Sequence, residues 1–297
     1  MIRIHQLAKR FRHTEALCGL DFHVPEGAIF ALVGPSGAGK TTLLKTLVNI
    51  HHPTSGRSEV LGVGSCKLGP KQFEQIGYVS ENQHLPEWMT VDSFLSHCRG
   101  FYPSWNDRDA ANLVRDFDLP LGRTLRALSR GMRMKAALAS SLAYGPKLLI
   151  LDEPFSGLDP QVRDQIIESI LNRAPETTVL VASHDLAELE SFASHVAFLN
   201  RGRLLFAEDA ASLAARFREI EITLDSPVVR DTDWRRSWLR PEQSGTVVRF
   251  VESQFEENIT TAEIYRRYPN ARSVAIRPLS LRSTFTAVAG ALGTTEV

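Results

Sequence analysis

Two short stretches carry residue types at spacings that suit phosphate chemistry. The first is GPSGAGKTT: Gly34, Pro35, Ser36, Gly37, Ala38, Gly39, Lys40, Thr41 and Thr42. It matches G-x-x-x-x-G-K-[ST] between a predicted strand and a predicted helix. Glycines let such a backbone curl so that its N–H groups converge on phosphate oxygens, and the following helix N-terminus adds a favourable dipole. Lys40 supplies charge for the β- and γ-phosphates, the Thr41 hydroxyl is a candidate Mg²⁺ ligand, and Thr42 suits a nearer phosphate. The second stretch is LLILDEP, an apolar run over 148–151 that stops on Asp152 and Glu153. Unpaired carboxylates at the end of a buried strand are costly unless a positive ligand meets them. Asp152 is placed to hold a Mg²⁺ shell, and Glu153 to take a proton from attacking water.

The elements that must position these groups alternate between strands and helices. Apolar runs over 28–34, 75–80, 148–152, 178–183 and 195–200 read as strands, and helical periodicity follows the middle three. This predicts an α/β domain with a mainly parallel sheet, whose ligands bind at the carboxyl ends of the strands. A helix-like stretch over 85–144 reads as an insertion between two strands, with Thr90 or Asp92 as the cap of its first helix. After about 216 the texture changes to alternating strands and two helices, which predicts a small α+β unit over 216–297 beside a first domain over 1–215.

Bulk properties narrow the classes. The chain has 297 residues, 43% of them apolar, which permits a buried core, and a formal net charge of zero, which gives no whole-chain attraction to nucleic acid or anionic lipid. Cys18, Cys66 and Cys98 lie far apart, and only His97 neighbours one of them, so reduced thiols are expected. The N-terminal MIRIHQLAKRF lacks a signal-peptide core, and no stretch approaches the roughly 20 apolar residues of a membrane helix. Membrane association is therefore expected to come through a partner.

The ordered set GPSGAGKTT, IGYVSE, LSRGM, LLILDEP, SGLDP and ASHD resembles the nucleotide-binding subunit of an ATP-binding cassette (ABC) transporter over about 1–215. The resemblance implies a P-loop NTPase cassette that binds ATP and Mg²⁺, hydrolyses the ATP, and drives a separately encoded membrane permease from the cytoplasmic face. Phe11 looks like the aromatic that stacks on adenine. Ser129 and the backbone of Gly131, in LSRGM, look like the signature turn that contacts the γ-phosphate held by an opposite subunit, which implies a homodimer around two nucleotides. Asp159, in SGLDP, looks like the loop bridging the two sites, and His184 looks like the switch histidine that orients the base.

The sequence also departs from that pattern. Alignment on IGYVS puts Glu81 where the family has a metal-contacting glutamine; Gln83 after a register slip, or a plain loop acid at 81, are the alternatives. Arg130 and Met132 replace the usual glycine and glutamine of the signature, and Arg130 is expected either near the partner's nucleotide or in solvent. LSRGM resembles the variant of subunits serving small exporters with separately encoded permeases, and the spacing of Ser280, Leu281 and Phe285 resembles the terminal helix of the branch pairing with type-2 exporter permeases, with Arg282 and Ser283 in place of its acidic positions. Trp88 and Met89 are candidate permease contacts or core residues. Trp234 and Trp238 are expected to share one helical face. A cassette ATPase acting on nucleic acid or ribosomes is the rival class, disfavoured by one cassette, no heptads and no charge excess. A regulatory nucleotide-binding module is the other rival.

Overall fold

The chain opens with an antiparallel hairpin of β1 (Ile2–Phe11) and β2 (Thr14–Val24), followed by β3 (Ile29–Val33), whose five residues are all buried. Helix α1 (Lys40–Leu47) comes next, then β4 (Ser55–Val60) and the short β5 (Val63–Gly64). Helix α2 (Pro70–Phe73) leads to β6 (Ile76–Ser80). Three helices follow: α3 (Val91–Arg99), α4 (Asp107–Asp116) and α5 (Arg130–Leu142). The chain then re-enters the sheet as β7 (Leu148–Asp152), and passes through α6 (Pro160–Leu171), β8 (Thr178–Ser183), β9 (His195–Asn200) and β10 (Arg203–Asp209). This computed structural model describes residues 1–173, 176–227 and 234–291.

A six-stranded sheet, in the order β10-β9-β3-β8-β7-β6, forms the centre of the first unit. The pairs β3/β8, β3/β9, β7/β8 and β6/β7 are parallel, as the run of wholly apolar strands predicts. Its core joins Phe30, Leu32, Leu43, Leu44, Ile150 and Leu180 into one cluster with residues of the first hairpin. A second, antiparallel sheet has the order β2-β1-β4-β5. Its strands are absent from the sequence prediction because register shifts between Ile4 and Leu7, and again near Ala8 and Arg10, break the two-residue period.

The insertion falls between β6 and β7. Thr90 caps α3 by accepting from Ser93 N at 3.2 Å, Asn106 caps α4, and Ser129 caps α5.

The second unit, Glu208–Val297, begins earlier than the change of texture near 216, because helix α7 (Ala210–Arg216) belongs to it. Strands β11 (Arg218–Leu224), β12 (Trp238–Ser244) and β13 (Val247–Glu252), helix α8 (Glu257–Arg267), strand β14 (Ala271–Pro278) and helix α9 (Leu281–Ala291) complete it. The sheet order is β12-β13-β11-β14, antiparallel at each pairing. Trp234 and Trp238 do not share a helix. Trp238 opens β12, where its ring stacks on Phe250 at 3.9 Å and its indole N–H donates to buried Glu252 Oε2 at 2.9 Å. Cross-strand stacking and a buried hydrogen bond outweigh the four-residue spacing that suggested a helical face.

Candidate functional site

Register places the site. Val33 of β3 lies opposite Ser183 of β8, Ala182 lies opposite Asp152 of β7, and Asp152 lies opposite Ser80 of β6. Four adjacent parallel strands therefore end in one row, and the residue following each projects from the same edge: Gly34, His184, Glu153 and Glu81. Hydrogen bonds continue past the strand ends, from Gly34 N to Ser183 O at 3.3 Å, Glu153 N to Ala182 O at 2.9 Å, and Glu81 N to Asp152 O at 3.0 Å.

The loop after β3 wraps around Lys40. The Lys40 ammonium, 5% exposed, donates to Gly34 O at 2.6 Å and lies 3.1 Å from Glu153 Oε1. Gly39 precedes α1 at φ 108°, and a Cβ there would sit 2.5 Å from Ala16 O, so only glycine fits. The first turn of α1 holds no acid, which leaves its dipole for an external anion. Ser36, Gly37, Ala38, Gly39, Thr41 and Thr42 line a cleft shared with Lys40, Glu81, Glu153 and His184, while Gly34 and Pro35 lie outside its lining and accept from the Lys40 ammonium.

Glu153 is held from two sides. Its Oε2 lies 2.7 Å from His184 Nδ1 and accepts from His184 N at 3.2 Å, while Oε1 faces Lys40. The Glu153 backbone adopts φ 54°, a conformation unfavourable for a side-chain-bearing residue and held here by the surrounding hydrogen bonds. Asp152, 3% exposed, accepts from the Thr41 hydroxyl at 3.0 Å. Burial pushes its carboxyl above the usual range, the Thr41 bond pulls it back, and Glu153 pushes it up again. The buried Tyr78 phenol is pushed up to about 12, first by burial and then by the Asp152 charge.

This donor set fits a divalent cation on a triphosphate. A buried carboxylate with one hydroxyl partner favours a hard cation, and a polar cleft floored by a lysine favours phosphate. Among the described residues no three His, Cys, Asp or Glu side chains form a metal cage, so such a cation would take water or phosphate oxygens to complete its shell.

Other candidates stand apart from this cleft. Ser129 caps α5 by accepting from Met132 N at 3.2 Å, which leaves its O–H as a donor. Gly131 packs against α6, where a Cβ would meet Val162 Cγ1 at 3.1 Å, so a packing constraint acts at a position singled out for its backbone. Asp159 caps α6 by accepting from Val162 N at 3.0 Å. None of the three lines the cleft around Lys40. Phe11 is also outside it, exposed at the hairpin tip opposite Thr14, with its ring edge-on to His51 at 5.3 Å. Arg130 is partly solvent-exposed but does not stand free: it pairs with Glu81 of its own chain. Gln83, its N–H bonded to Ser80 O, does not line the Lys40 cleft but shares a neighbouring pocket with Thr41, Glu81, Asp152 and Glu153.

Sequence reasoning missed the turn after β9. Arg201 and Gly202 line the cleft, and Gly202 N donates to Ala38 O of the phosphate loop at 2.9 Å. The Arg-Gly pair between two apolar runs was a turn signal, but nothing in it pointed to a contact so far back along the chain.

A family model described as ABC transporter matches residues 17–156. The uncharacterized ABC transporter ATP-binding protein YxlF of Bacillus subtilis is 32% identical over 212 residues, covering 69% of this chain and 69% of YxlF. The chain belongs to the ABC transporter family. The sulfate/thiosulfate import ATP-binding protein CysA of Xylella fastidiosa (strain 9a5c) is 35% identical over 215 residues, covering 68% of this chain and 61% of CysA. The chain spans 58% to 61% of the length of several such curated relatives. The dimeric structure of the bacterial ABC transporter cassette MJ0796 superposes with a TM-score of 0.64 at 22% identity, covering 71% of this chain and 99% of the cassette. The cassette fold of this ABC protein is thereby established: a P-loop α/β core with a parallel-rich sheet and a helical insertion, to which the second unit is an addition.

Proposed function

We propose that the chain is the ATP-hydrolysing subunit of an ABC transporter, that two copies close around two Mg-ATP, and that their closure and separation drive a separate membrane permease. The observation that carries this is the convergence of Lys40, Glu153 and His184 in one cleft that neither Ser129 nor Gly131 lines. A site that holds the phosphate loop and base in one cleft and the second helix N-terminus outside it is completed by a second chain.

Each group has a task in this scheme. Incoming phosphates draw the Lys40 ammonium away from Glu153 Oε1, and thereby free that oxygen. His184 keeps Oε2 fixed, so Glu153 stays aimed while Oε1 accepts a proton from the attacking water. The water oxygen bonds to the γ-phosphorus as the bond to the ADP oxygen breaks. Thr41 and Asp152, with Glu81, are the residues placed to hold Mg²⁺, which supplies charge neutralisation at the phosphates. Ser129 and the N–H groups at Gly131 would serve the facing chain's γ-phosphate, Asp159 the link between sites, and Phe11 the adenine after closure.

No helix among the described residues is long and apolar enough to cross a membrane, so the membrane path is assigned to a permease, with the chain peripheral on the cytoplasmic face. Trp88, 77% exposed in the insertion, is assigned to the permease contact. The LSRGM signature favours export, although CysA is named for import. No nucleic-acid partner is invoked.

Phosphate release from ATP tests this reading. Glu153→Gln is expected to slow turnover by roughly 10²–10⁴, or about 3–5 kcal/mol on the barrier, while retaining nucleotide. Wild-type turnover in Glu153→Gln would refute the assignment of the base.

A further inference from the structure

The first turn of α5 is an unusual place for a cation. Positive charge opposes the helix dipole there, and this turn holds Arg130 and Arg133 with no acid. Both arginines reach the loop after β6: Arg130 pairs with Glu81, and Arg133 Nη1 lies 3.9 Å from Glu87 Oε1. Arg130 Nη2 also donates to Ser156 Oγ at 3.4 Å. Its Nη1 occupies the space beside Gly157, where a Cβ would come within 2.8 Å, and Gly157 itself has φ +65°. One guanidinium thus ties the signature turn to two other segments, the loop after β6 and the loop after β7.

We propose that Arg130 is a positioning residue that latches Glu81 in the nucleotide-free chain, and that Mg²⁺ entering with nucleotide must displace it. This rests on the function proposed above. Glu81 lines the same cleft as Lys40, Thr41 and Glu153, so a cation entering that cleft would compete with Arg130 for its carboxylate. While Arg130 holds it, the negative charge that would repel a triphosphate is neutralised. When a hard divalent cation takes the oxygen, Arg130 is released, together with its hold on Ser156 and the adjacent Gly157. The pair suits exchange because it is partly exposed, 46% for Arg130 and 26% for Glu81, and pairs of that kind contribute little static stability. Substitution of glutamine by glutamate at 81 and of glycine by arginine at 130 then become one compensated change, with metal binding as its output.

The test is a MgCl₂ titration monitored by binding of a fluorescent, non-hydrolysable ATP analogue to the full chain, without turnover. Arg130→Ala is expected to lower the half-saturating Mg²⁺ concentration by about two- to fivefold, the range of an exposed ion pair. Arg130→Lys, which keeps the charge, is expected to stay near wild type. In a Glu81→Gln background, Arg130→Ala is expected to change nothing further. Arg130→Gln provides the same comparison if the alanine variant does not fold. An unchanged half-saturation in Arg130→Ala, or an equal shift with and without Glu81→Gln, overturns the latch. Lys40→Ala run alongside separates the two claims: its loss of analogue binding with no Arg130 effect rejects the latch alone, whereas wild-type binding by Lys40→Ala rejects the nucleotide site itself.

Discussion

Lys40 Nζ lies 3.1 Å from Glu153 Oε1, with the two side chains 5% and 15% exposed. The phosphate-loop cation and the candidate base thus form a close ion pair. Removing Lys40 strands a nearly buried carboxylate that retains only His184. Lys40→Ala is expected to lose nucleotide affinity and also to lower the melting temperature of the ligand-free protein by a few degrees, equivalent to about 1–3 kcal/mol. Calorimetry without nucleotide checks the second effect, which a purely ligand-binding lysine would not produce.

Asp152 gives the opposite sign. Its carboxyl is raised in the folded chain chiefly by burial, so the folded state binds this proton more tightly than the unfolded state. The corresponding stability is present in full below the ordinary Asp value of about 4 and is lost as pH rises through the raised folded value. Asp152→Asn is therefore expected to melt higher than wild type near pH 7 and to converge with it as the pH falls toward 4. Melting curves across that range test this, and a variant that is destabilised at pH 7 would contradict it.

Gly39 combines a left-handed backbone with a carbonyl in the space a side chain would need. Gly39→Ala is expected to cost about 1–3 kcal/mol and to abolish binding of a fluorescent ATP analogue.

Much of the edge that carries the candidate site was legible in the sequence. The strands over 148–152, 178–183 and 195–200 match β7, β8 and β9 residue for residue, because each is a short apolar run bounded by polar or small residues. The phosphate loop and the acids at 152 and 153 carry their chemistry in local spacing. The Arg130–Glu81 pair does not, since it joins positions 49 apart whose meeting depends on how α5 stands over β6. The first hairpin was hidden by its bulges, and β12 by two tryptophans that mimic a helical face.

In the second unit, Trp238→Phe removes the indole donor to Glu252, whose buried carboxylate also accepts from Gln254 N. A cost of about 1–3 kcal/mol is expected, and Glu252→Leu in the same chain should recover much of it, because no buried charge is then left without its donor. Thermal unfolding of the single and double variants decides this.

Turnover per chain, measured at saturating Mg-ATP while the protein is diluted through its dimer dissociation range, tests most directly whether two chains build each site. The expected result is a rate per molecule that falls with dilution in step with the loss of dimer seen by sedimentation. An undiminished rate from a species that sediments as a monomer would contradict it.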